Sequence, residues 1–207
     1  MNILIGCENS GIVREAFSSR GHNAVSVDLL PTEKPGKHVI SDIFAFLGAY
    51  KGIFDIIIMH PTCTKLCVSG NHVYAKGKPK YKERLQAVKW TERLWKLSKR
   101  KAKAVCFENP VGVLHTLGSL PKPYYVQPYQ FGHDASKKTG LYLWNLPPLK
   151  PTERITGRFV NGFERWSNQT DWGQNRLGPS DDRWKIRSKT YQGIADAMAE
   201  QWSDLIL

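Results

Sequence analysis

Three features of the sequence predict an α/β fold built on a mainly parallel sheet. Short apolar runs, which suit buried strands, alternate along the chain with segments of helical periodicity. Turns that carry glycine or proline follow several of these runs. The run Ile56-Ile57-Ile58-Met59 is fully apolar, and the turn after it contains a proline and then Cys63. Because ligands bind outside the carboxyl ends of the strands in such sheets, we expect the chain to be organised around this turn.

The totals limit the class of protein. A chain of 207 residues suits one domain, residues 1–207, and its 41% hydrophobic content is enough for a sizeable core. It has no apolar run of about 18 residues, so we expect no membrane span. The chain enters a strand-like run at Asn2 without the pattern of a signal peptide, and its four cysteines are dispersed. We therefore expect a cytoplasmic protein with free thiols.

The positive charge is concentrated in one segment. The net charge is +12, and residues 74–103 carry twelve Lys or Arg against two Glu, a net of +10. Such a concentration indicates binding of a polyanion such as nucleic acid. The alternative interpretation is a solvated, lysine-rich helix face without a ligand.

The first four elements are predicted as strand, turn, helix and strand. Residues 2–5 predict a strand, a glycine-containing turn covers residues 6–11, and a helix begins at Ile12 and ends at Gly21. Residues 24–27 predict a second strand, which ends at Asp28. A unit of this kind presents backbone N–H groups and a helix N-terminus to a ligand.

Residues at the ends of these strands predict a site for a nucleoside cofactor. Gly6 and Gly11 permit close approach of the backbone to a ligand. Asp28 is placed to accept hydrogen bonds from a ribose, and Glu8 is placed to assist. Asp42, after the third strand, is a candidate to meet an adenine amino group, or else it caps the next helix. An ordinary turn remains the structural alternative, and the fingerprint G-x-G-x-x-G of NAD and FAD sites is absent.

Two residues at successive strand ends are candidates for chemistry. Cys63 lies in the turn after the strand at residues 55–59, where a thiol is well placed to act as a nucleophile. Glu108 ends the strand at residues 104–107, and we expect its carboxylate near Cys63. The alternatives are a buried structural cysteine and turn chemistry before Pro110.

The rest of the chain continues the alternation, with an irregular excursion at residues 147–187. That segment is rich in Pro, Gly, Trp and Arg, and it is the expected substrate-facing part. Its tryptophans (Trp166, Trp172 and Trp184) are candidates to stack on bases or to pin the loop to the core. The other predicted elements are strands at residues 38–40 and 140–144, helices at residues 43–50, 81–100 and 191–205, a polar, mobile segment at 70–80, and an extended segment at 120–128.

In their order along the chain, these pieces resemble the motifs of the cytosine-C5 methyltransferases. The resemblance spans about residues 3–197, with a gap at the excursion. Thr62 and Pro110 stand where the family has a proline and a valine. The matching segments are the turn at residues 6–11, Asp28, Ser41-Asp42-Ile43, Pro61-Thr62-Cys63, Glu108-Asn109-Pro110, Lys137-Lys138 before a strand, and Gln192-Gly193-Ile194-Ala195.

The resemblance implies a Rossmann-like sheet of the S-adenosylmethionine-dependent methyltransferases, with flanking helices and a short irregular excursion. It implies methyl transfer from S-adenosyl-L-methionine to C5 of cytosine in DNA through a covalent Cys63 adduct, with residues 74–103 on the DNA. Its compactness suits a phage enzyme in a bacterial or phage-infected cell. The implied catalytic residues are Cys63, Glu108 and Lys137, and the implied cofactor-binding residues are Gly6, Glu8, Gly11, Asp28 and Asp42.

Three alternatives stay open. The excursion is far shorter than the usual target-recognition domain of the family, so RNA or free pyrimidine nucleotides are alternative substrates. A catalytically inactive nucleic-acid-binding protein on the same fold is a second alternative, because Thr62 alters the nucleophile loop. A zinc module on His60, Cys63, Cys67 and His72 is the third, although this spacing matches no common finger pattern. We therefore expect no metal site.

Overall fold

The computed structural model describes residues 1–181 and 183–203, without the side chain of Trp184. Its central feature is a seven-stranded sheet. Its strands are β1 (Asn2–Gly6), β2 (Asn23–Asp28), β3 (His38–Ile40), β4 (Phe54–Met59), β5 (Ala102–Pro110), β6 (Tyr124–Val126) and β7 (Thr139–Trp144). Their order across the sheet is β3-β2-β1-β4-β5-β7-β6. Neighbours from β3 to β5 pair in parallel, whereas β7 pairs antiparallel with both β5 and β6. The chain thus has a mainly parallel, Rossmann-like α/β sheet, and the predicted fold class is confirmed.

Helices cover both faces of the sheet. On one face, α1 (Ile12–Ser18) and α6 (Gln192–Ser203) pack against Ile3 and Ile5 of β1. On the other face, α2 (Ile43–Ala49) and α4 (Tyr81–Lys101) pack against Leu4. Successive strand residues point to opposite faces, so a strand covered on both sides has to be apolar throughout. The continuous apolar run in β4 follows from this arrangement.

Several elements differ from the predicted ones. The segment predicted as polar and mobile, residues 70–80, begins at the end of a 3-10 helix, Val68–Gly70, and contains α3 (Asn71–Tyr74). Strand β5 is longer than predicted because its ladder with β7 continues from Val105 to Pro110. The final helix is described as far as Ser203, and the last two positions predicted for it, 204 and 205, lie outside the described residues.

The excursion contains regular structure that was not predicted from the sequence. Strands β8 (Arg158–Val160) and β9 (Phe163–Arg165) form a hairpin, and α5 (Arg183–Ser188) follows. The two residues between the strands, Asn161 and Gly162, both have positive φ, at 50° and 79°. Asn-Gly is the preferred dipeptide for such a tight turn, so the signal was present in the sequence.

Candidate active site

The Cys63 loop leaves the carboxyl end of β4 and closes into one helical turn. The backbone N–H groups of Leu66 and Cys67 both donate to the carbonyl of Cys63 at 2.9 Å. Leu66 is buried in the core, so its side chain holds the turn against the sheet. Cys63 itself is only partly buried.

Glu108 reaches the same loop from the neighbouring strand β5. Its Oε2 lies 3.0 Å from Nδ1 of His60, and both side chains are less than 10% exposed. The next residue, Asn109, donates from Nδ2 to the carbonyl of Pro61 at 2.7 Å. Glu108 and Asn109 of β5 therefore hydrogen-bond to His60 and Pro61, which precede Cys63 in its loop.

Lys137 arrives at this edge because β7 runs antiparallel to β5. Thr139, the first residue of β7, pairs with Pro110, the last residue of β5. The Nζ of Lys137 donates to the carbonyl of Lys189 at 3.0 Å, and its charge acts on both Cys63 and Glu108. The three residues predicted as catalytic are thus brought together, and their roles stay predictions.

The electrostatics of the site keep Glu108 ionised. Burial by itself raises the pKa of this carboxyl group, as it does for any buried acid. The hydrogen bond from His60 and the positive charge of Lys137 act in the opposite direction, and together they hold the pKa of Glu108 below its ordinary value. The site therefore presents a carboxylate.

Cys63 and Cys67 act on each other's pKa, which is raised at Cys63 and lowered at Cys67. The hydrogen bond to Cys67 raises the pKa of Cys63, and burial and the Glu108 charge raise it further, against the lowering effect of Lys137. The pKa of Cys67 is lowered by the same bond and by Ser69, whose Oγ lies 3.0 Å from the Cys67 sulfur. Sequence reasoning considered Cys67 as a candidate zinc ligand and missed this coupling.

The predicted cofactor residues lie at the carboxyl ends of β1, β2 and β3. A Cβ at Gly6 would overlap the Met59 side chain, so the glycine is needed for packing. Gly11 has φ of 73° at the start of α1, a conformation that favours glycine. Between them, Cys7 has φ of 57°, which is uncommon for a residue with a side chain. The turn is therefore held in a special backbone conformation.

Glu8 has a structural role in this turn. Its Oε1 accepts from the backbone N–H of Ile12 at 2.8 Å and from the hydroxyl of Ser10, so it caps the start of α1. Its Oε2 is buried and has no hydrogen-bond partner among the described residues. One oxygen thus caps the helix and the other is available, so the assisting role toward a cofactor stays a prediction.

The charges of Asp28 and Asp42 both act on Cys7. Burial raises the pKa of the Cys7 thiol to about 12, and the charges of the two aspartates contribute to that rise. Asp42 also caps α2, since its Oδ1 accepts from the N–H groups of Phe44 and Ala45 at 2.9 and 3.0 Å. The structural alternative for Asp42 is therefore realised, and its role toward an adenine amino group stays a prediction.

The basic segment divides into two kinds of residue. Its exposed lysines include Lys76, Lys78, Lys80 and Lys82, and none of these four forms an ion pair within the described ranges. Arg84 is buried instead, and it donates to the carbonyls of Lys65 at 2.7 Å and Cys67 at 3.0 Å. One of the predicted polyanion contacts is thus a support for the Cys63 loop.

The tryptophans of the excursion also divide. Trp166 is buried and stacks on Tyr129 with ring centroids 4.0 Å apart, so it pins the excursion to the core. Trp172 is 83% exposed, and Phe159 and Phe163 on the hairpin are exposed as well. The side chain of Trp184 lies outside the described residues. Exposed aromatic rings are therefore present on the excursion.

The zinc alternative has no support in the geometry. His60 faces Glu108, and Nδ1 of His72 lies 3.2 Å from the carbonyl of Ser69. Within residues 1–181 and 183–203, no group of three or more His, Cys, Asp or Glu side chains is arranged to hold a metal ion.

None of the helices in this part of the chain combines the length and apolar character needed to cross a bilayer.

Comparison with known proteins yields structural similarity alone. No protein family and no curated protein sequence matches the chain. The chain is similar to Thermoplasma acidophilum protein 1320, with 12% identity and a TM-score of 0.40, over 69% of this chain and 77% of that one. It is also similar to the bifunctional kinase-methyltransferase WbdD, with 13% identity and a TM-score of 0.41, over 81% of this chain and 38% of WbdD. The strand order and directions of the sheet itself define the fold.

Proposed function

We propose that this protein is an S-adenosylmethionine-dependent methyltransferase that methylates C5 of cytosine in DNA. The observation that carries the proposal is the meeting of Cys63, Glu108 and Lys137 at the ends of adjacent strands. A thiol, a buried carboxylate and a cation at the carboxyl edge of such a sheet suit covalent catalysis on a pyrimidine.

In this proposal, the Cys63 sulfur attacks C6 of the base. Cys63 first gives its proton to solvent, the bond between sulfur and C6 then forms, and the C5=C6 π pair shifts onto C5, which takes the methyl group. A base then removes the proton from C5, and its electron pair re-forms C5=C6 as the sulfur leaves C6 as a thiolate. Glu108 accepts a hydrogen bond from the exocyclic amino group and so orients the ring for attack by the Cys63 sulfur. Lys137 favours the thiolate form of Cys63 by its charge.

The residues at the ends of β1 to β3 fit the adenosine part of S-adenosylmethionine. Asp28 lies at the end of β2, where a carboxylate suits a ribose, and Glu8 has a buried oxygen without a partner in the described residues. Leu29 and Ile40, next to the two aspartates, are exposed apolar side chains that a flat ring would cover. When bound, S-adenosylmethionine supplies the methyl group.

The proposed DNA contacts lie on α4 and on the excursion. The lysines before and along α4 suit phosphates, and the exposed rings of Trp172 and Phe163 suit unpaired bases. A base in a duplex has to leave the stack before chemistry, and unpaired surroundings lower that cost of a few kcal/mol. The free thiols suit the reducing cytoplasm of a bacterial or phage-infected cell.

Trapping with 5-fluorocytosine tests this function. The protein is incubated with S-adenosylmethionine and DNA containing 5-fluorocytosine, because fluorine at C5 prevents release of the adduct. We expect a denaturation-resistant complex with the wild type and none with Cys63→Ser, while Cys106→Ala, a change at a core thiol, keeps it. If no adduct forms on DNA but adducts form on RNA or free nucleotides, the substrate is RNA or a nucleotide and not DNA. Absence on all three would favour a binding protein without activity.

A further inference from the structure

The most unusual contact of the site involves a residue that the proposed chemistry does not use. His60 is the first residue after β4, and its backbone N–H donates to the carbonyl of Gly6 at 2.9 Å. Its imidazole Nδ1 lies 3.0 Å from Oε2 of Glu108, and the two side chains are 9% and 8% exposed. His60 therefore joins the ends of β1, β4 and β5 at the centre of the sheet edge.

The protonation of this contact follows from chemistry. The pKa of Glu108 is held low, so its carboxylate is an acceptor without a proton to give. The proton between the two groups must therefore sit on Nδ1 of His60. Within the described residues, His60 is the sole side chain that hydrogen-bonds to the Glu108 carboxylate. Lys137 adds charge but no direct bond.

The other polar atom of each side chain, Nε2 of His60 and Oε1 of Glu108, forms no hydrogen bond with the described residues. Nε2 of His60 is buried and has no hydrogen-bond partner within the described part of the chain. The second carboxylate oxygen, Oε1 of Glu108, accepts no hydrogen bond from the described residues either. Glu108 also lines a small recess with Lys137, Thr139 and Tyr191. One oxygen is thus fixed by His60 while the other stays available to a ligand.

We infer that His60 is the positioning residue for Glu108: its Nδ1–H fixes one carboxylate oxygen, so that the other is held toward the cytosine ring. This inference rests on the proposed function for its catalytic consequence. A carboxylate free to rotate would spend part of its time away from the base, and misplacement by about 1 Å costs on the order of 10²-fold in rate. His60 acts through Glu108 and does not touch the substrate.

Three substitutions separate hydrogen bonding from bulk. Asparagine places an amide N–H near the position of Nδ1, glutamine places it one carbon farther along, and leucine removes it. His60→Asn is therefore expected to keep the contact, and His60→Gln and His60→Leu to lose it. His115, which is exposed, provides the matched control His115→Leu.

The first readout is independent of activity. In protein labelled with ¹³C at the glutamate carboxyl groups, the Glu108 signal is assigned from its absence in Glu108→Gln and followed against pH. We expect a low pKa of Glu108 in the wild type, His60→Asn and His115→Leu, and a higher pKa in His60→Leu and His60→Gln. An unchanged pKa of Glu108 in His60→Gln overturns the inference, and this comparison holds even where His60→Leu does not fold.

The second readout is methyl transfer. We expect kcat to fall by about 10²-fold in His60→Leu and to recover to within about tenfold in His60→Asn. Full activity of His60→Leu overturns the inference. A wild type that transfers no methyl group to DNA, RNA or nucleotides overturns the proposed function instead, and the pKa of Glu108 then still decides whether His60 positions it.

Discussion

Arg84 Nη2 donates to the carbonyl of Cys67 at 3.0 Å, from a side chain that is only 2% exposed. Its Nε and Nη1 bind the carbonyl of Lys65 and Oδ1 of Asn71, both at 2.7 Å. The basic helix α4 therefore has one buried cation, Arg84, which hydrogen-bonds to the loop that carries Cys63. A guanidinium has the several fixed donors that such a task needs.

Arg84→Met is expected to destabilise the protein and loosen the Cys63 loop. The change leaves buried acceptors without partners, so the free energy of unfolding should fall by about 2–4 kcal/mol. Urea denaturation measures this loss, and adduct formation with 5-fluorocytosine should slow in parallel. Lys82→Met, on the exposed face of the same helix, should change stability by less than about 0.5 kcal/mol. Equal effects of the two substitutions would contradict the supporting role of Arg84.

Glu108→Gln is expected to have two opposite effects. Methyl transfer should fall by about 10²-fold, because the carboxylate acceptor that orients the base is replaced by an amide. The Cys63 thiol should become more reactive toward iodoacetamide, because the Glu108 carboxylate raises the pKa of Cys63. Glu15→Gln, at an exposed position on α1, is the control and should change neither rate. Slower alkylation in Glu108→Gln would show that Glu108 does not act on the thiol.

Cys67→Ser is expected to shift the pH dependence of Cys63 alkylation to lower pH. The hydrogen bond and negative charge of Cys67 raise the pKa of Cys63, so removing them lowers it and increases the thiolate fraction at any given pH below the midpoint. Mass spectrometry after timed iodoacetamide labelling measures the rate at each cysteine. Cys106→Ala should leave the midpoint in place, since Cys106 is fully buried in the core. An unchanged midpoint in Cys67→Ser would mean that the thiols are independent.

Substitutions at Asp42 distinguish its two roles. Asp42→Ala removes the cap of α2 and should lower the free energy of unfolding by about 1 kcal/mol. Asp42→Asn keeps a capping oxygen, so stability should be retained, while S-adenosylmethionine affinity should fall if the carboxylate meets the cofactor. Thermal unfolding and calorimetric titration provide the two measurements. Unchanged affinity in Asp42→Asn would leave the residue with its capping role alone.

Charge reversal of Lys78, Lys80 and Lys82 tests the DNA surface. The triple Glu variant should bind DNA more weakly, and the slope of log K against log salt should fall by about 0.9 for each phosphate that the variant no longer neutralises. The control is a triple Glu variant with the same change in net charge at other exposed lysines. If both variants lower the slope equally, net charge and not this surface governs binding. The control positions are Lys51, Lys122 and Lys150.

Much of the sheet was predictable because local patterns determine it. Strand β3 was predicted at its observed bounds, and β4 to within one residue, because apolar runs flanked by turn residues leave little choice. The hairpin at Asn161 and Gly162 was missed although its signal was present, because the surrounding segment lacks long apolar runs. The resemblance supplied the grouping of Cys63 with Lys137, which no local pattern contains.

Patterns along the chain were enough to predict the alternation of strands and helices, the Cys63 turn and the concentration of charge, since each depends on neighbouring residues in the sequence. Which residues meet at the sheet edge depends instead on how the strands are arranged in the fold. His60 contacts Glu108 because β4 and β5 are adjacent, and Lys137 joins them because β7 runs in the opposite direction. Arg84 points inward because buried carbonyls require donors, a demand that exists only once the loop has folded against the helix.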